Sequence, residues 1–256
     1  MSWRSRGRHF GAAVPVCVAV FALTMAVGRS DVAGQGRAGG PQVPQTGRGL
    51  APVDITGTWV SIVTEDWRWR MVTPPKGDYA SVPMTREARA VADAWDISKD
   101  GSCLAYGAAG LLRIPTRLRF SWESDTVLRL ETDAGVQTRR FVFDGTRPPG
   151  ARSLQGFSRA EWEPAGGRGV QGGALKVTTT NMTGGWVRKN GVPYSANAVL
   201  TEYFDRFHGP SGEEWINVTT IVDDPQYFTQ QFITTTHFKK EPDGSKWSPS
   251  PCRDTD

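Results

Sequence analysis

Eight short runs of alternating polarity dominate the chain, and they restrict it to folds built on antiparallel sheet. Residues 55–63, 117–123, 127–133, 136–143, 174–182, 199–207, 215–222 and 232–239 place β-branched or aromatic residues at every second position. Successive side chains of a strand point to opposite faces, so each run offers one face to bury and one to leave in water. Turn residues separate neighbours: Ser124-Asp125, Ala134-Gly135 and Gly209-Pro210-Ser211-Gly212. The expectation is a mainly β domain with sequential hairpins, an antiparallel β-barrel or barrel-like sandwich of about 8–10 strands, since closure removes unpaired edges. One short helix interrupts it over 85–95, where Thr85 can cap and Ala88, Val91, Ala92 and Trp95 share a face.

The N-terminus follows other rules. Arg4, Arg6 and Arg8 precede a run from Phe10 to Val27 without a charged side chain, and Ala26 and Gly28 are small. This reads as an export signal over 1–28. The run is slightly short for a bilayer and is interrupted by Gly11 and Pro15, which favours a leader over an uncleaved anchor and leaves no membrane span after its removal. The expected address is periplasmic or secreted. Losing the leader removes three arginines and lowers the formal charge from +4 to +1. The remaining charges of both signs are interspersed, so nucleic acid is not an expected partner. Residues 29–52, rich in Gly, Pro, Gln and Arg, read as a disordered linker. The domain is expected over 53–247, with a tail at 248–256. Cys103 and Cys252 are the only cysteines beyond the leader, and an oxidising compartment pairs them in a disulfide that ties the tail back.

Residues 64–79 form the densest candidate site. Read as a continuing strand, Glu65, Trp67, Trp69 and Met71 point one way and Asp66, Arg68 and Arg70 the other. Trp67 and Trp69 could stack on a planar or sugar-like ligand, Arg68 and Arg70 could hold an anionic group in forked hydrogen bonds, and Tyr79 closes the stretch. The competing reading is a Trp face in the core and a solvated charged edge. Over 199–207, Glu202 shares a face with Leu200 and Phe204, an environment that raises a carboxyl's pKa and makes it a candidate acid or base. His237, or Asp205 on the other face, would be its catalytic partner; a structural cross-strand ion pair is the alternative. His208 falls in a turn. With two histidines in the domain and no clustered thiols, no metal site is expected. Gly167-x-Gly169-x-x-Gly172 follows Pro164 and precedes a strand, the wrong context for a dinucleotide fingerprint, and Gly156-Phe157-Ser158-Arg159-Ala160 lacks the final glycine of a nucleophile elbow. No cofactor is expected.

The blocks GTWVSIVTEDWRWRMVTPPKGDY, FDGTRPPGARSLQGFSRAEWE, GALKVTTTN, NGVPYSANAVLTEYFDR and INVTTIVDDPQYFTQQF resemble a family of exported bacterial β-rich proteins without an assigned function. The resemblance spans nearly all of the domain and implies kinship without chemistry. Where that family is expected to carry Pro-His-Ser, this chain has Pro193-Tyr194-Ser195, which removes a general base at that spot. Gly57-Thr58-Trp59 also resembles the Gly-x-Trp signature of lipocalins and calycins, implying a Trp that plugs the closed end of a barrel. The chain departs from that pattern, with its helix early and none after the last strand. The expected function is binding of a small aromatic, sugar-like or anionic ligand within the barrel. The alternatives are a cofactor-independent hydrolase, lyase or isomerase, and a structural partner in the cell envelope.

Overall fold

The computed structural model describes residues 46–166 and 172–254. The expected export signal at 1–28, most of the expected linker, and Gly167 and Gly169 of the glycine loop lie outside the described residues. The strands are β1 (Gly57–Ile62), β2 (Arg117–Ser124), β3 (Val127–Thr132), β4 (Ala134–Gly135), β5 (Thr138–Val142), β6 (Phe157–Pro164), β7 (Gly173–Thr180), β8 (Gly185–Arg188), β9 (Val192–Tyr194), β10 (Val199–His208), β11 (Glu214–Asp223), β12 (Phe232–Lys240) and β13 (Ser250–Pro251). Nine of them close a barrel in the order β1-β12-β11-β10-β7-β6-β5-β3-β2. The eight expected runs all became barrel strands.

The ninth barrel strand, β6, was not expected. Its inward positions are Ser158, Ala160 and Trp162, between Arg159, Glu161 and Glu163, so the apolar alternation that marks the others is weak. It also breaks the run of sequential hairpins: β5 and β6 are parallel, with only Phe141 opposite Ser158 and Val142 opposite Arg159. The connection through 143–156 therefore crosses the barrel from its lower end, where β1 begins, to its upper end, where β2 begins.

The interior is solid rather than hollow, which corrects the expectation of a ligand inside the barrel. Trp59, Leu118, Phe120, Leu128, Leu130, Phe141, Leu175, Val177, Phe204, Ile216, Val218 and Phe238 fill it and are inaccessible to solvent. Phe120, Phe141 and Phe204 meet with ring centroids 5.6–6.4 Å apart. It is these side chains, and not the strand number, that leave the interior no room for a ligand, and burying each of them contributes about 1.5–3 kcal/mol. Trp59 seals the lower part: its indole N–H donates to the Ile55 carbonyl at 2.9 Å and Lys240 lies over its ring.

A cap of irregular chain covers the upper end. It is built from residues 63–116, the β8–β9 hairpin and residues 224–231. In it, α1 (Trp67–Arg70) is one helical turn, α2 (Arg86–Asp93) is capped by Thr85, whose hydroxyl accepts from the Ala88 amide, and α3 (Ala108–Leu111) leads into β2. A second core, with Met84, Ala88, Ala92, Val192, Phe228 and Phe232, joins cap to barrel. The tail is fastened, as expected, by the Cys103–Cys252 disulfide, and β13 pairs in parallel with β4. At the lower end, residues 46–52 pack as a strap: the Trp162 indole donates to the Gly47 carbonyl at 2.6 Å and the Arg48 amide to that of Asp125 at 2.9 Å. Residues 46–52, expected to be part of a disordered linker, are therefore packed against the barrel. A glycine was needed at 47 because a Cβ there would collide with the Phe143 ring.

Candidate anion-binding site

Residues 64–79 do not continue β1 as a strand. Asp66 takes a left-handed conformation (φ 52°, ψ 22°), which aspartate tolerates better than branched residues, and the chain turns into α1. Helical spacing replaces alternation, so the expected aromatic and charged faces do not form. Trp67 is 64 % exposed. Arg68 is exposed and pairs with Asp78 at 2.7 Å, and the Trp69 indole donates to the same carboxylate at 3.1 Å. Tyr79 is buried in the cap, its hydroxyl donating to Asp93 at 2.9 Å. Burial, then that bond, raises its pKa.

Arg70 turns inward and becomes one of three buried arginines that meet beneath Trp69. Its Nη1 donates to Glu65 Oε1 at 2.5 Å, its Nε to the Arg113 carbonyl at 3.0 Å, and its Nη2 to the Ser61 hydroxyl at 3.3 Å. Arg113 leaves α3 toward β2. It donates through Nη2 to Asp66 Oδ2 at 3.0 Å, lies over the Phe232 ring, and has a buried Nη1 with no hydrogen-bond partner among the described residues. The third, Arg188, ends β8. The β8–β9 register shifts between Trp186 and Arg188, an irregularity of the kind that re-aims a side chain, and it turns Arg188 into the cap. Arg188 is 4 % exposed, yet none of its three guanidinium nitrogens has a hydrogen-bond partner among the described residues. It packs instead against the Trp69 face, whose ring centre is 4.7 Å from the guanidinium carbon.

The charges do not balance locally. Glu65 serves Arg70, Asp66 serves Arg113 and Asp78 serves Arg68, while Arg188 has no carboxylate within ion-pair distance among the described residues. Burial, then the charge of Arg113, pulls the Arg188 guanidinium well below its ordinary value, down to about 10, with Asp66 and Asp78 opposing. Burial also lowers Arg70, Arg113 and the neighbouring Lys189. A space of about 10 Å³, the scale of one ordered water, separates Trp69, Arg70, Arg113 and Arg188. An acceptor-rich, negatively charged group fits this chemistry: guanidinium forks match carboxylate and phosphate oxygens, and charge-assisted bonds strengthen where water is excluded.

The residues expected to act in acid–base chemistry are not brought together. Glu202 is fully buried in the barrel and held by Arg139 through two bonds of 2.9 and 2.5 Å, with Thr179 bonded to the same guanidinium. It is the structural ion pair. His237 is on the outer wall, its Nδ1 3.0 Å from Glu65 Oε2, so barrel wall separates it from Glu202. Asp205 is exposed, and Asn217 sits between it and His237 in the register, placing those two about 10 Å apart by strand spacing. Burial, then Glu163, raises the Asp205 pKa. Arg113 and Arg188 went unnoticed in the sequence. For Arg188 a signal existed: Asn190-Gly191 between Trp186-Val187 and Val192 marks a hairpin, with a charge set in an apolar strand. Arg113 had none.

No family model, curated protein or solved structure matches the chain.

Proposed function

We propose that this is an exported protein that binds a small anionic molecule, seating a carboxylate or phosphate group between Arg113 and Arg188 beneath the Trp69 ring. One observation carries the reading: Arg188 is a buried cation whose donors are all unsatisfied, an arrangement that costs free energy unless something occupies it. The ligand belongs in the cap and not in the filled barrel. The present space takes a water-sized occupant, so a polyatomic anion enters as α1 and Trp69 shift outward. α1 suits such movement, being a single turn held through Glu65 and Asp78. Export is supported by the leader-like N-terminus and by the disulfide. Among the described residues no helix is long and apolar enough to cross a membrane.

Calorimetric titration with acetate, benzoate, phosphate and sulfate, in a buffer free of other polyvalent anions, tests the proposal. Saturable binding by at least one of them, lost in Arg188→Met, is expected. If all four fail to bind at millimolar concentration, or bind the variant equally well, the reading falls.

A further inference from the structure

The lower end of the barrel carries chemistry that the arginine cluster does not use. A cavity of about 320 Å³ lies there, lined by Arg48, Val53, Asp54, Thr56, Trp122 and Trp162 among others. A second, more apolar one of about 390 Å³ lies on the other side of Trp162, against Leu50, Phe143 and Pro164. Both are within the size range of small-molecule sites. Trp162 stacks on Phe143 with centroids 5.5 Å apart and planes at 25°, and Phe143 meets Trp122 at 5.5 Å. Three connected rings thus run across the mouth, and the cavity beyond Trp162 leaves its ring room to adjust.

The polar groups beside these rings choose between ligand classes. Asp54 Oδ1 accepts from the Thr56 amide and hydroxyl at 2.9 and 2.7 Å, which orients the carboxylate. Its Oδ2 has no hydrogen bond among the described residues. Burial alone would raise its pKa, but the Thr56 bonds and the charges of Lys240 and Arg206 outweigh it and hold the group ionised. Arg48 stands on the same cavity, and its single ion partner among the described residues is Asp125 at 4.0 Å, a contact too long to occupy its donors. A wholly apolar ring would stack on the indoles but strip water from Asp54 and Arg48 without replacing its hydrogen bonds. A hydroxylated ring does both, with an apolar C–H face for the indoles and hydroxyls that donate to a carboxylate and accept from a guanidinium.

We propose that the lower mouth is a saccharide-binding site, in which a pyranose ring stacks on Trp122 and Trp162 while its hydroxyls donate to Asp54 Oδ2 and accept from Arg48. The strap forms part of this site, because Arg48 and Ala51 line it and Gly47 anchors it to Trp162. The site is independent of the anion site in the cap.

Methyl glucoside, cellobiose, lactose and chitobiose are the probes, followed by saturation-transfer NMR and tryptophan fluorescence on the full chain. At least one should give a saturable response. Asp54→Asn, which keeps the Thr56 bonds, should weaken that response tenfold or more, as should Trp122→Phe with its smaller stacking face. Arg188→Met should leave it unchanged. Circular dichroism confirms that each variant is folded. No saturable response from any of the four probes, a response undiminished in both mouth variants, or one abolished by Arg188→Met would each overturn the proposal.

Discussion

Exchanging Arg188 for methionine separates a binding residue from a structural one, because the two roles require stability changes of opposite sign. In the unliganded protein the guanidinium is 4 % exposed and lacks hydrogen-bond partners among the described residues. The fall of its pKa to about 10 corresponds to about 3 kcal/mol against the charged form at neutral pH. The Trp69 face, 4.7 Å away, offsets about 1–2 kcal/mol of this. Methionine has comparable reach, no charge and good affinity for an aromatic face. The variant should therefore unfold about 1–2 kcal/mol harder, a rise of about 2–8 °C in Tm for a domain of this size. The sign with pH is fixed: a base whose folded pKa lies below its unfolded one carries its full penalty below pH about 10 and sheds it as pH rises toward the unfolded pKa. The advantage of methionine is thus complete at neutral pH and shrinks in strong alkali. The assay is thermal and urea unfolding in an amine buffer without polyvalent anions, repeated with a bound anion at about a hundred times its Kd, where wild type should gain about 2.7 kcal/mol and the variant nothing. A variant that melts several degrees below wild type without ligand would refute the reasoning, because Arg188 would then be a net stabilising residue whose donors ordered water satisfies.

Other perturbations test other parts of the molecule. Glu202→Gln leaves Arg139 with a weakened buried partner and Glu202→Leu leaves it with hydroxyl acceptors but no carboxylate; the latter should lose about 3–5 kcal/mol in urea unfolding, and Arg139→Met with Glu202→Leu together should recover most of it. Glu65 is raised by burial but held below its ordinary 4.5 by the Thr64 and His237 bonds and by Arg70. Its contribution is present above that value and lost as pH falls through the folded pKa, so Glu65→Gln should flatten the drop in Tm measured between about pH 5 and 3. Opening the Cys103–Cys252 bond, which spans 149 residues, should cost about 5 kcal/mol on the loop-entropy account and lower Tm by more than about 10 °C. Limited proteolysis should then cut the tail around 248–254, which the disulfide and the β13–β4 pairing otherwise hold.

The barrel was legible because its walls obey a local rule. A strand with one face in the core must alternate, so Leu118, Phe120, Leu128, Leu130, Ile216 and Val218 announce both their strand and their inward face. The α2 cap was legible for the same reason, since Thr85 acts within four residues of itself. β6 was hidden because Ser158 and Ala160 are small or polar where the code expects bulk: Ser158 faces the Arg139–Glu202 pair and bonds to Thr179 at 2.8 Å. Alternation also misled over 64–79. A pattern of period two says nothing of a single residue leaving strand geometry, and Asp66 does so.

Both candidate sites were harder to read because they are made by closure, not by pattern. Trp122, Phe143 and Trp162 come from three separate segments of chain, and only the barrel's one parallel seam sets the third beside the others. In the cap, Arg70 lies in a helical turn, Arg113 in a connection and Arg188 on a bulged hairpin, and each looks like an ordinary surface charge in its own neighbourhood. Two of them find carboxylates close in sequence to Arg70, at Glu65 and Asp66, so that the short segment 65–70 supplies acids for two of the three. The third arrives with none. A cap selected only for stability would gain by replacing that guanidinium with an apolar side chain of the same reach. In a layer already held by two cores and a disulfide, an occupant bringing the missing negative charge would offset the cost of that guanidinium, which is the proposal the Arg188→Met comparison tests.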